Sequence, residues 1–177
     1  MVKKIAPYIA YTIFFLVALI YFTPKINFYY FLEAQLEEKG VLISDEVTKD
    51  KGYALKVYNA NLSYSSIESA EIADIALKIY GVYNSIYLNN ITLTTTAKSF
   101  IPLHVDNVKV IYSILNPLNI KAYGVGAFGE FYAKFNVLEQ TLHVELKPAE
   151  IMSVKYKNTL NNFSENEDGE LCYDKNF

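Results

Sequence analysis

Four stretches of this chain share one apolar spacing, and that recurrence constrains the fold more than any other feature. Leu55 and Val57 are followed, after two residues, by Ala60 and Leu62; Ala70 and Ile72 by Ile75 and Leu77; Ile86 and Leu88 by Ile91 and Leu93; Leu103 and Val105 by Val108 and Val110. The stretches begin at 55, 70, 86 and 103, a period of about sixteen. Apolar residues two apart lie on one face of a strand. A step of three sends the second pair to the opposite face unless one extra residue is absorbed. Just before the second pair stands Asn or Asp in every case: Asn59, Asp74, Asn90 and Asn107. These residues tolerate the unusual backbone of a β-bulge. Each repeat therefore reads as one long strand with a bulge at mid-length. Lys56, Glu71, Lys78, Tyr87, Thr92, His104 and Lys109 fall on its polar face.

The turns between the repeats are short (Tyr64 to Ser66, Gly81 to Asn84, Thr95 to Pro102, Asn116 to Leu118), which makes neighbours antiparallel. Bulges at one height in successive strands curve a sheet. Strand patterns continue through Asn119–Ala127, Glu130–Asn136 and Thr141–Lys147. Pro148 then opens a predicted helix to Phe163, with Met152, Tyr156, Leu160 and Phe163 on one side. Ser164 to Glu170 is acidic and polar, and Leu171-Cys172-Tyr173 suggests a last short strand. The fold class that follows is mainly β: a curved antiparallel meander, half-barrel-like, with bulged strands and two flanking amphipathic helices.

Upstream lies one further constraint. Ile5 to Phe22 (IAPYIAYTIFFLVALIYF) is eighteen residues without a charge, near the lower limit for crossing the hydrocarbon core. Tyr8, Tyr11 and Tyr21 lie toward its ends, where amphipathic rings suit the interface. Lys3 and Lys4 precede it, and positive-inside bias keeps that end cytoplasmic and sends the rest across. No small-x-small cleavage motif follows the run, so it reads as a signal anchor rather than a cleaved signal peptide. The organisation predicted is a tail (1–4), a transmembrane signal anchor (5–22), a juxtamembrane helix (23–40), a β-meander domain (41–148), and a C-terminal helix with an acidic tail (149–177). In the juxtamembrane helix, Phe28, Phe31, Leu32, Gln35 and Leu36 share one side, and Gly40 is a stop signal. Thr48 to Gly52 reads as a polar turn.

Composition and spacing narrow the chemistry. Of the 177 residues 52% are hydrophobic, enough to fill a core. All sixteen basic residues are lysine, and the net charge is −3. Without the bidentate arginine fork, and without a positive balance, a nucleic-acid partner is not expected. Cys172 is the single cysteine, so no intrachain disulfide or thiolate metal site is expected. Gly124, Gly126 and Gly129 match a dinucleotide motif by spacing, but the next stretch alternates like a strand where that motif needs a helix. His104 and His143 each sit between apolar neighbours and point to a polar face, with no metal-ligand spacing around them. Ser63 to Ser66 are turn residues, and Glu165, Glu167, Asp168 and Glu170 read as a solvated run. No catalytic residue, cofactor or metal is expected, and the chain does not read as an enzyme.

Taken together, several features resemble the type II secretion system protein N family and, more loosely, AsmA-like envelope proteins. An anchor ending in Tyr21-Phe22-Thr23-Pro24 runs straight into a short helix. Strand repeats of the type Tyr87-Leu88-Asn89-Asn90-Ile91-Thr92-Leu93 follow. A glycine-punctuated stretch, Gly124 to Gly129 with Phe128, leads to Leu146-Lys147-Pro148. A helix and Glu167-Asp168-Gly169-Glu170 precede a final aromatic strand. The resemblance implies a bacterial inner-membrane protein with a periplasmic domain, accessory to protein export. The looser one implies a curved sheet whose apolar concave face can hold lipid chains.

Two functions therefore stand: a scaffold that docks envelope export proteins at its sheet edges, and a lipid-binding or lipid-transfer module. Repeats of eleven to thirteen residues span about 36 Å or more at roughly 3.3 Å per residue. The candidate groove residues are Leu55, Val57, Leu62, Ile72, Leu77, Ile79, Ile86, Leu88, Leu93, Leu103, Val105 and Val110. The same twelve could instead form a closed core.

Overall fold

The computed structural model describes residues 2–166 and 170–177. Helix α1 (Val2–Phe22) leads into α2 (Lys25–Glu37), and a single antiparallel sheet follows. Its strands are β1 (Val41–Ser44), β2 (Val47–Asp50), β3 (Leu55–Tyr64), β4 (Ile67–Ile79), β5 (Tyr83–Leu93), β6 (His104–Ser113), β7 (Asn119–Gly126), β8 (Gly129–Asn136) and β9 (Thr141–Pro148). After α3 (Glu150–Lys155) and α4 (Lys157–Leu160), the chain rejoins the sheet in β10 (Ser164–Glu165) and β11 (Leu171–Asn176). From β3 to β9 each strand pairs with the next in sequence; β11 adds to β9, β10 to β11, and β1 and β2 both pair with β3. The sheet does not close.

The mid-strand slip in alternation, which keeps both apolar pairs on one face, occurs where the repeat predicts it, but by a different device. Val57 pairs with Ile75 and Ala60 with Ile72; Leu88 pairs with Val108 and Ile91 with Val105. The ladders between β3, β4, β5 and β6 cross this height with no shift of register. A bulge needs an extra residue that nothing opposes. Here each strand carries its extra residue at the same height, so the extra residues oppose one another. Asn59 and Asn90 absorb the turn with left-handed φ of 54° and 51°, a conformation Asn tolerates. Asp45 does the same, at φ 62°, between β1 and β2. Strand β7 lacks the repeat, and there a true register shift appears, between Val105 and Asn107.

One face of the sheet is the core. Leu55, Val57 and Ala60 are fully enclosed, with Ile72, Ile75, Leu77, Ile91 and Val105 beside them. A fully buried Leu or Val side chain stabilises by about 1.5–3 kcal/mol. Helix α2 docks on one end of this face through Ile26 and Tyr29, and Met152, Tyr156, Leu160 and Phe163 cover part of the other. The opposite face is polar: Lys56 and Asn89 both reach the Asp74 carboxylate across three strands.

Three expectations need correction. Pro148 ends β9 rather than starting a helix, pairing with Gly129. The predicted helix to Phe163 is broken at Tyr156 (φ −119°, ψ 31°) into α3 and α4. The stretch beyond the break, Asn158 to Asn162, is rich in poor helix formers, and the break brings Tyr156, Leu160 and Phe163 onto the core. Thr48 to Asp50 lies within β2, and the turn comes after it, at Lys51 to Ala54. Of the predicted acidic tail, Glu167, Asp168 and Gly169 lie outside the described residues, and Glu170 pairs with Lys147 at 2.9 Å.

Candidate functional site: an apolar trough beside the N-terminal apolar helix

Residues Ile5–Phe22 of α1 have a mean hydropathy of 2.1, and none of them is buried in the protein, so the helix is long and apolar enough to cross a membrane. Its junction with α2 is built around Lys25, which is 1% exposed. The Lys25 ammonium donates to the carbonyls of Ile20 and Thr23, the latter at 2.8 Å. A cation there satisfies the carbonyls and complements the dipole at the helix C-terminus. The Lys25 backbone N–H donates to Asp50 Oδ2 at 2.9 Å, and Asp50 Oδ1 accepts from the Gly52 N–H at 2.8 Å. The β2–β3 turn is thereby tied to the end of α1.

Beyond this junction the core face is only partly roofed. A cavity of about 490 Å³ lies between α2 and strands β4 to β7. Phe28, Phe31 and Leu32 of α2 line one side; Leu77, Ile79, Ile86, Val110, Tyr112 and Ile120 line the other. The predicted side of α2 does group these residues. It stays largely exposed because the helix docks through Ile26 and Tyr29 instead. A second apolar cavity, about 360 Å³, lies farther along the same strands, between Ile91, Leu93, Val105 and Val108 and the α3–α4 segment with Met152 and Phe163. Both volumes fall within the range of small-molecule sites. From Asn84 to Leu93 on β5, the strand that both border, the distance is about 30 Å at 3.3 Å per residue.

The twelve predicted groove residues divide. Leu55, Val57, Leu62 and Ile72 belong to the packed core. Leu77, Ile79, Ile86 and Val110 line the larger cavity, and Leu93 and Val105 the smaller. Leu88 packs on the core between the two, one inward position from Ile86 and Ile91. Leu103 lines neither cavity, since β6 starts at His104; Ile101 takes that place. Phe128, Phe131 and Val144 also line the smaller cavity and were not predicted, although the alternation of β8 and β9 places Phe131 and Val144 on this face. Gly124 stands opposite Phe131, whose ring occupies the space a Cβ would need. That is the use of one glycine in the supposed dinucleotide motif.

Titratable groups cluster away from the trough. His143 Nδ1 lies 2.7 Å from Asp174 and its Nε2 3.3 Å from Glu145, joining β9 to β11 on the polar face. The hydrogen bond to Asp174 raises the imidazole above its ordinary value, and Glu145 adds to that. Lys78 and Lys109 flank the Tyr87 ring at 4.6 and 5.2 Å, and the bond to Lys109 lowers the Tyr87 phenol. Burial raises the Tyr29 phenol, with Glu46 and Glu33 nearby. Burial also raises the Cys172 thiol, which leaves little reactive thiolate. Among the described residues no His, Cys, Asp or Glu group is arranged to hold a metal ion.

Fold and site thus define a class: an open antiparallel sheet with an apolar trough, carried on a helix able to span a bilayer. No protein-family model, curated protein or solved structure matches the chain.

Proposed function

We propose that this protein is a membrane-anchored, non-enzymatic module that holds lipid acyl chains in its trough. The observation that carries the reading is the pair of apolar cavities along β5, left open by helices that cover only the two ends of the core face. An apolar pocket of this size on an otherwise packed face is a natural ligand site. Lys3 and Lys4, ahead of the apolar run Ile5–Phe22, favour a cytoplasmic N-terminus and a sheet on the other side. In a bacterial cell that is the inner membrane and the periplasm, as the resemblance to the secretion and AsmA-like families implies.

The test is photolabelling of the full-length protein, reconstituted with phosphatidylcholine carrying a diazirine in its acyl chain. Labelled peptides should include residues 77–86 and 108–112. Val110→Phe and Ile86→Phe, which fill the larger cavity, should remove that labelling while the thermal unfolding transition is kept. Labelling confined to α1 would refute the trough as a lipid site.

A second reading, an accessory of an export machine, is supported by the sheet edges. From Tyr173 to Asn176, β11 pairs with β9 on one side and has no described strand on the other. Such an edge can accept a strand from a partner. A photocrosslinker at Asn176 in native envelopes would trap that partner; a lipid-labelled protein with no crosslinked partner would leave the first reading alone.

A further inference from the structure

The antiparallel order places the β2–β3, β4–β5, β6–β7 and β8–β9 turns at one end of the sheet. This is the end that touches the anchor: Asp50 binds the Lys25 backbone, and Gly52 lies against the Tyr21 ring near the end of α1. The turns there carry large apolar side chains with nothing packed over them. Val82 is 49% exposed, Ile114 54%, Leu115 83% and Leu138 74%. The turn sequences Tyr80-Gly81-Val82-Tyr83 and Ile114-Leu115-Asn116-Pro117-Leu118 contain no charge. The uncharged β4–β5 and β6–β7 turns thus form an apolar rim, extended by Leu138 beside Glu139 in the β8–β9 turn and by Tyr53 beside Lys51 in the β2–β3 turn. It is continuous with a helix suited to a bilayer, and the larger cavity reaches it at Gly81 and Asn84.

We infer that this rim lies in the interfacial layer of the same bilayer that α1 crosses, so that the trough opens directly onto lipid. The inference rests on α1 being a membrane span, and on no ligand in the trough. Leu115 and Leu138 would sit at the headgroup–acyl boundary, where exposed apolar side chains are removed from water. The Tyr80 and Tyr83 rings suit the same layer. The sheet would then stand upright on the membrane rather than swing free on its anchor, and a chain could pass from bilayer to trough without crossing water.

Depth measurement tests this in the full chain. Single cysteines at Leu115→Cys, Leu138→Cys, Ser66→Cys and Val17→Cys, in a Cys172→Ala background, would carry an environment-sensitive fluorophore. The protein would be reconstituted in phosphatidylcholine vesicles with and without brominated chains. Positions 115 and 138 should show blue-shifted emission and clear quenching by bromine near the headgroup. Ser66, at the far end of the sheet, should show neither, and Val17 should be quenched by bromine deep in the chains. Quenching at Val17 with water-like emission at 115 and 138 would overturn the rim while sparing the anchor. An unquenched Val17 would overturn both. Neither result depends on whether the trough holds lipid, which the photolabelling reads separately.

Discussion

The ring of Tyr21 lies so close to Gly52 that a Cβ on the glycine would stand 2.6 Å from Tyr21 Cε2. Gly52 also has a φ of +75°, which side chains rarely adopt. The last turn of α1 and the β2–β3 turn are therefore fitted to each other, and only glycine permits it. Gly52→Val is expected to cost about 1–3 kcal/mol through backbone strain alone, read by chemical unfolding, and to loosen α1 from the sheet. Adding Tyr21→Ala should recover the loosening but not the strain. Full recovery of stability in the double variant would show that the ring contact, not the backbone, sets the cost.

Lys25 and Asp50 form the polar half of the same junction. Lys25→Met removes the donor to the Ile20 and Thr23 carbonyls, and Asp50→Ala removes the acceptor of two backbone N–H groups. Each change leaves partly buried groups unpaired, at about 1–3 kcal/mol. Asp50→Asn keeps one acceptor oxygen and should lose less. Faster amide exchange at Gly52 and Lys25 in Asp50→Ala, with the β5–β6 ladder unchanged, is the expected signature.

Core and trough should respond differently to truncation. Leu55, fully enclosed, should cost about 2–5 kcal/mol as Leu55→Ala. Val110 is only half-buried and borders an existing cavity, so Val110→Ala should cost about 1 kcal/mol or less. Equal losses in equilibrium unfolding would mean that the trough is sealed in solution.

The His143 contacts predict a pH dependence. Its pKa is raised above the ordinary 6.5 by the Asp174 hydrogen bond. The folded state therefore binds the proton more tightly than the unfolded state does. The contribution is full below 6.5 and is lost as pH rises through the folded value. Stability measured from about pH 5 to pH 8 should fall toward the alkaline end, and His143→Gln should flatten the profile. Because His143 is partly exposed, salt should weaken the effect. A slope that survives in His143→Gln would assign it to other groups.

Much of this architecture can be read from spacing alone. The paired apolar residues around Asn59, Asp74, Asn90 and Asn107 specify the strands, their inward face and the height at which the alternation slips by one residue, because side-chain alternation is a local property of extended backbone. An uncharged run from Ile5 to Phe22 likewise specifies a helix able to cross a bilayer. What spacing does not carry is how neighbouring irregularities meet. Whether an extra residue becomes a bulge depends on the strand beside it, and only the aligned register of β3 to β6 turned expected bulges into opposed residues. The same holds for the trough. Phe28, Phe31 and Leu32 share a side of α2 in any helix, yet it took the docking of Ile26 and Tyr29 to leave that side open. Leu55 and Val110 stand at one height of the sheet, linked through Leu77 and Ile86, but one is sealed and the other borders a cavity. Burial is set by what packs across from a residue, and that partner lies far away in the chain.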